Sequence, residues 1–389
     1  MTGIPPLDRL PALEHQALTR GADLVLEGGG VKGIGLAGAV ITLAQAGYVF
    51  PRVGGTSAGA IVACLVAAYQ TQGIPLTRIR DDMEALDYKR FRDEGRVQHA
   101  FGPAGRVVSV LAHQGIYRTD YLASWLAERL GPVKTFGDLR IDDDTGTGLP
   151  RERRYRLVVH ASDLSRKCLV RLPWDLARYL LSYDNDTDDA SVKKQLDAID
   201  SYPIVDAVRA SMSIPWFFRP FTQKSEAGSC TWVDGGLLQN FPITVFNRND
   251  GKLDRWPTFG VKLSGKPHPT LTERAVLGNV AELKAVAATA LGQWNRYSLD
   301  DSGVDDRTMW VDTDGVAATD FDITKETQDT LYANGVRAAT VFITAWEEAK
   351  KKKDAELIAE AHRLHEREVR RDEQARTVSG VAGATPAAT

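Results

Sequence analysis

Cysteine is scarce in this 389-residue chain: Cys64, Cys168 and Cys230 stand far apart and form no CxxC pair. That excludes a disulfide scaffold and a thiol-based zinc module, and it fits a reducing compartment with buried thiols. A basic excess is also missing. The formal net charge is -3, so no global cationic field points to nucleic acid. Long apolar runs are lacking too. The longest, Ala58 to Tyr69, has 12 residues, too few to span a bilayer. The N-terminal stretch carries prolines and charges and no apolar core of a secretory signal. The default is a cytoplasmic protein, with peripheral membrane contact left open. Finally, no acidic residue occurs between Glu27 and Asp81, a window holding two glycine clusters.

Hydrophobic patterning places strands and helices in alternation at the start. "ADLVLE" (22–27) and "FPRVGG" (50–55) read as buried strands. "GIGLAGAVITLAQAG" (33–47) and "AGAIVACLVAAY" (58–69) read as buried helices. The order β-α-β-α implies a parallel sheet with covered faces. Residues 75–131 read as mainly helical, most clearly 119–131, capped by Thr119 or Asp120 and ended by Gly131. Further strands are expected at 153–163, 167–173, 230–236 and 258–264. Helices are expected at 271–299 and from Lys325 to about Arg376. Polar loops are expected at 140–152 and 181–195, and the tail 379–389 is too small and featureless to pack.

Two readings compete for the glycines. Gly28-x-Gly30-x-x-Gly33 and Gly33-x-Gly35-x-x-Gly38 both fit a dinucleotide fingerprint between a strand and a helix. That chemistry wants an acid about 20 residues on to hold a ribose, and the acid-free window covers the place. Arg52 is poorly set to take a 2′-phosphate instead. The second reading is hydrolytic. Gly55-Thr56-Ser57-Ala58-Gly59 fits the nucleophile elbow G-x-S-x-G, between a strand and an apolar helix. Gly28, Gly29 and Gly30, with Lys32 and Gly33 beside them, could turn amides toward an oxyanion at the same sheet edge. A carboxylate in this window would oppose that oxyanion.

A base must take the serine proton. No histidine has the right setting: His268 lies between prolines, His362 and His365 sit in a charged helix, and His160 ends a strand as a core residue. Asp234 in "WVDGG" is the better candidate, because Gly235 and Gly236 permit a close turn and burial would raise its pKa. A plain Asp-Gly turn is the competing explanation.

"EGGGVKG", "GTSAG" and "VDGG", in this order, resemble the patatin-like phospholipase family. The resemblance extends to "DAVRASMSIPWFFRPF" (206–221), "NFPI" (240–243) and "DGVAATDFDIT" (314–324). It covers roughly residues 22–345, with an extension at 1–21 and a charged helix at 346–378. It implies a three-layer α/β/α fold with a mostly parallel central sheet. It also implies acyl-ester hydrolysis of phospholipids or related lipids by a Ser–Asp dyad, with neither metal nor cofactor. Ser57 stands at the nucleophile position, Asp234 at the base, and Gly28, Gly29, Gly30, Lys32 and Gly33 at the oxyanion loop. Lys32 replaces an Arg common in the family. The first helix and the 75–131 region do not resemble plant storage members, which suggests a bacterial-type single module. A nicotinamide-dependent oxidoreductase and a lipid-binding module with little turnover are the alternative functions.

Other features read as bland. Asp184, Asp186 and Asp188 mimic the start of an EF-hand, but its glycine and final glutamate are missing. Lys350 to Lys353 are flanked by acids and read as an ion-paired helix face. Trp174, Tyr179 and Leu180 could form a lid or an acyl entrance, or simply pack in the core. Pro215, Trp216, Phe217, Phe218 and Phe221 either pack in the core or, as the resemblance favours, wall an acyl groove.

Overall fold

A computed structural model describes residues 20–92, 115–117, 119–141, 149–181, 189–225, 228–248, 254–263 and 303–381. Strand β1 (Asp23–Leu26) leads through the glycine loop into helix α1 (Gly33–Gln45). Strand β2 (Val53–Thr56) leads through Ser57 into α2 (Ala58–Gln72). α2 is buried along nearly its whole length, as an all-apolar helix must be when it lies between a sheet and other helices. It ends at Gly73, whose φ of 69° is the left-handed cap that glycine supplies. Helices α3 (Arg78–Glu84) and α4 (Asp120–Leu130) follow, with the short strand β3 (Gly115–Tyr117) between them. The 75–131 stretch is therefore not helical throughout. α4 starts after Thr119 and stops at Gly131, the ends expected, but no side-chain cap bond forms at its start, where the Thr119 hydroxyl accepts from Arg209 Nε instead.

The second half adds β4 (Leu157–Asp163), β5 (Cys168–Leu172), α5 (Ala177–Leu180), α6 (Asp189–Asp200) and α7 (Ile204–Ser211). Strands β6 (Trp216–Phe218), β7 (Phe221–Ser225), β8 (Gly228–Asp234), β9 (Thr258–Lys262) and β10 (Thr308–Trp310) follow, and the chain closes with the long helix α8 (Lys325–Val381). α6 corrects the polar-loop reading of 181–195. Leu196 and Ile199 are buried one turn apart on it, and that spacing outweighs the acidic run before it. The helix expected at 271–299, the calcium-like aspartates Asp184, Asp186 and Asp188, and His268 lie outside the described residues.

The main sheet runs β10-β9-β1-β2-β4-β8-β7, with β5 also on β4. The strands from β10 to β4 are parallel to their neighbours, whereas β5, β8 and β7 pair antiparallel. The fold is thus α/β with a mostly parallel central sheet. On one face α2 and α7 pack over β4 and its neighbours. The other face is covered by the segment after β8: a Cβ at Gly54 would meet Phe246, and one at Gly260 would meet Phe241 and Ile243.

One detail of β4 organises the molecule. Its residues Leu157 to His160 pair with β2, and Ala161 to Asp163 pair with β8. β5 occupies the other edge, from Val159 to Asp163. Hence β2 and β8 share one edge of β4 and meet end to end. Thr56 lies opposite His160 and Asp234 opposite Ala161, so the C-terminal ends of the two strands face each other.

By contact density the chain divides into Met1–Thr340 and Val341–Thr389. In the second unit the helix continues to Val381, Phe342 stacks on Trp346, and Lys350, Lys351 and Lys352 are exposed. Among the described residues no helix is long and apolar enough to cross a membrane.

Candidate active site

Ser57 sits where β2 turns into α2, with φ 54° and ψ −125°. A non-glycine residue with positive φ is strained and persists only where its surroundings enforce it. Here backbone contact enforces it. A Cβ at Gly55 would lie 2.3 Å from Gly59 O, and a Cβ at Gly59 would lie 2.3 Å from Leu26 O. The glycines at −2 and +2 from the serine are therefore dictated by the crowding of β1, β2 and the first turn of α2. The Ser57 amide donates to Ser211 Oγ at 2.9 Å, which ties the elbow to the end of α7.

Asp234 is the last residue of β8. The abutment on β4 brings it to Ser57: Ser57 Oγ donates to Asp234 Oδ2 at 2.6 Å. Gly236 N donates to Asp234 Oδ1 at 2.7 Å. The turn is tight, since a Cβ at Gly235 would lie 2.2 Å from His160 O. Ser57 is 4% exposed and Asp234 3%. Burial pushes the Asp234 carboxyl up to about 7, against the pull of the Ser57 and Gly236 hydrogen bonds.

The glycine loop lies alongside. Parallel pairing sets Leu26 opposite Gly55, so two residues on Gly28 is level with Ser57. A Cβ at Gly28 would stand 3.0 Å from Ser57 Cβ. The three amides are not equivalent. Gly28 N donates to Asn240 O at 3.2 Å, and Asn240 Nδ2 donates back to Gly28 O at 3.1 Å. Val31 N donates to Ala318 O at 3.1 Å. No described residue accepts from the amides of Gly29 and Gly30. Lys32 is half-buried and donates from Nζ to Thr313 Oγ1 at 3.2 Å, toward the segment after β10. Burial lowers its pKa, opposed by Glu27 and Asp314. A Cβ at Gly33 would meet Met83 Cε at 3.2 Å and Ala58 Cβ at 3.3 Å. Glu27, which borders the loop, is matched by an ion pair with Lys262.

The second fingerprint, Gly33-x-Gly35-x-x-Gly38, has a packing role. A Cβ at Gly38 would lie 2.2 Å from Tyr332 O, and one at Gly335 would lie 2.0 Å from Gly35 O. α1 and α8 cross backbone to backbone there, which leaves no room for a pyrophosphate. Arg52 donates from Nε to Asp23 Oδ1 at 2.9 Å in a buried pair. His160 lies inside β4 rather than at its end. It is buried, its Nδ1 has no partner among the described residues, and burial pushes its pKa down to about 4.

Several neighbours of Ser57 carry no recognisable signal of their own in the sequence. Met212 Sδ lies 3.6 Å from Ser57 Oγ, and Asp234 N donates to Ser213 O at 2.9 Å. With Ser211 they come from "RASMS", and Asn240 comes from "NFPI"; motif membership marks these stretches but not the individual contacts. The aromatic stretch divides. Phe218 lines a cavity beside the dyad, Phe221 stacks on Trp232, and Trp216 is 54% exposed. Trp174 and Tyr179 belong to the core, against Phe246 and Trp232 respectively.

The sequence matches the patatin-like phospholipase family over residues 24–247, more than half of the chain. The uncharacterized protein YqhO of Bacillus subtilis (strain 168) is 32% identical over 328 residues, 83% of this chain and 98% of that protein. Among solved structures, VipD from Legionella pneumophila is 20% identical with a TM-score of 0.45, covering 84% of this chain and 67% of its own. ExoU in its complex with SpcU, from the type III secretion system of Pseudomonas aeruginosa, is 18% identical with a TM-score of 0.40, covering 84% and 52%. With its glycine loop and serine elbow inside the matched region, the chain belongs to the patatin-like phospholipase family.

Proposed function

We propose that the protein is a serine acyl hydrolase that cleaves fatty-acyl esters of phospholipids or related lipids through the Ser57–Asp234 pair. The observation that carries this reading is the 2.6 Å hydrogen bond between Ser57 Oγ and Asp234 Oδ2 in a buried site. Asp234 takes the serine proton as Oγ attacks the ester carbonyl. The resulting oxyanion is received by the amides of Gly29 and Gly30, with the N-terminus of α2 adding its dipole. Gly28 N donates to Asn240 O and so supports the loop instead of binding the oxyanion. The oxyanion collapses, the ester C–O bond breaks, and the leaving alcohol takes the proton from Asp234; a water that the freed carboxylate deprotonates then attacks the acylated Ser57, and that proton returns to Oγ as the fatty acid leaves.

The test is labelling with a fluorophosphonate, which requires an activated serine. The native protein takes up the label and Ser57→Ala does not. Equal labelling of the two would end the proposal.

A pH profile supplies a second prediction. The base acts only when ionised, and its pKa is raised to about 7. The kcat/KM for a neutral ester therefore rises through pH 6–8 and levels off above, instead of being flat from pH 5 as an ordinary carboxylate would make it. Asn240→Ala removes the donor to Gly28 O while its own backbone bond stays. It is expected to lower kcat with little change in KM, since it loosens the oxyanion loop and not the acyl site.

A further inference from the structure

An apolar cavity opens beside the dyad. The neighbours of Ser57, namely Gly30, Ala58 and Met212, line it on one side, and Phe91, Phe218 and Phe321 line it on another. It holds about 10 Å³, room for a single water-sized sphere. A hydrocarbon chain is the ligand that such a lining accepts, yet no run of methylenes fits the space as it stands. A wall must yield, and the three rings differ in how firmly they are held. Phe218 belongs to β6, which pairs with β3. Phe91 is set in the 3-10 turn Tyr88–Arg92 and packs edge-on against Tyr121 and Phe218. Phe321 comes from the segment 311–324 between β10 and α8, which contains neither helix nor strand. That segment touches the oxyanion loop directly. Val31 N donates to Ala318 O, Lys32 reaches Thr313, and a Cβ on Gly30 would overlap Ala318 O. The Phe321 ring stacks on Phe217 at 4.9 Å and 24° and meets Phe91 and Phe218 at 6.0 and 6.5 Å.

We infer that Phe321 is the specificity-determining residue of the acyl site: its ring takes the room that a longer chain needs, and so sets the chain length accepted. The inference rests on the hydrolase reading above. Because the ring is carried by an irregular segment, it is the wall whose displacement disturbs the least regular structure. The same segment contacts the oxyanion loop, so filling the cavity and positioning the loop are linked through residues 318–321.

The experiment is kcat/KM for a series of p-nitrophenyl esters (acetate, butyrate, octanoate and palmitate) with native protein, Phe321→Ala, Phe321→Leu and Phe321→Trp, and Ser57→Ala as background. Phe321→Ala should raise the octanoate-to-butyrate ratio about tenfold or more, the scale on which an apolar pocket senses methylenes. Phe321→Leu should give a smaller rise, and Phe321→Trp should lower the ratio. A ratio unchanged in all three variants, or a uniform loss on every ester, overturns the inference. Should Phe321→Ala fail to fold, the opposite movements of the Leu and Trp variants decide. If the native protein turns over no ester above the Ser57→Ala background and takes no fluorophosphonate, the hydrolase reading fails and the inference goes with it. Labelling with an unaltered length profile sinks the inference alone.

Discussion

Asp234→Asn is expected to lower kcat/KM for ester hydrolysis by about 10⁴-fold while making the protein more stable at pH 8. The first effect follows from removing the carboxylate proposed to take the Ser57 proton; deletions of this kind in triad enzymes cost on that order. Because serine and base act as a unit, Ser57→Ala should lose about as much, and the double variant little more. The second effect follows from linkage. Asp234 has a carboxyl raised from 3.8 to about 7 by burial. Between those values the folded protein keeps a proton that the unfolded chain has released. Stability therefore falls as pH rises from about 4 to about 7 and stays low above. The ceiling is about 4 kcal/mol, at 1.36 kcal/mol per pKa unit. An asparagine has no proton to lose, and its Oδ1 can still accept from Gly236. Urea titrations of both proteins at pH 5 and pH 8 check this: the variant's advantage should grow with pH. A variant that is less stable than the native protein at pH 8 would show that the carboxylate is better solvated than its surroundings indicate.

Gly59→Ala is the second large effect. The added methyl would meet Leu26 O at 2.3 Å and Glu27 O at 2.7 Å, both backbone atoms of a buried strand end. Neither can swing aside as a side chain could. The expected loss of stability is about 3 kcal/mol or more, at the upper end of overpacking changes. Whatever folded protein remains has β1 and α2 pushed apart, which moves the glycine loop away from Ser57. A displacement near 1 Å costs about 10²-fold in rate. Gly33→Ala is the matched control. Its methyl meets Met83 Cε at 3.2 Å and Ala58 Cβ at 3.3 Å, and the methionine tip can move. Chemical denaturation and fluorophosphonate labelling rates, measured on both variants, separate the two cases.

The β-α-β-α opening could be read from the sequence because each element is a solid apolar run punctuated by glycine. The same glycines flag the turns around Ser57 and Asp234. What could not be read is the reason these turns meet. The antiparallel β8 docks on the stretch of the shared β4 edge that β2 leaves unused, and this depends on pairings between strands far apart in the sequence. β3, β6 and β10 have three residues each, too short to show a period. The bonds from Ser57 N to Ser211 Oγ and from Asn240 Nδ2 to Gly28 O span 154 and 212 positions, and neither residue type announces such a partner. The division of labour within Gly28–Gly30 was hidden for a similar reason. Three identical residues in a row give no hint that a distant asparagine takes one amide. The dinucleotide alternative was also legible, and crowding by α8 removes its second fingerprint, Gly33-x-Gly35-x-x-Gly38.

The end-to-end docking on β4 has a consequence for biosynthesis. The hydroxyl and its carboxylate partner are 177 residues apart, and the strand that carries the carboxylate is the later in sequence of the two on that edge. A chain emerging from the ribosome thus presents a serine without its carboxylate partner for 177 of its 389 residues. On the proposed mechanism, ester cleavage waits until the distant strand has docked, so completion of the fold itself would switch the serine on.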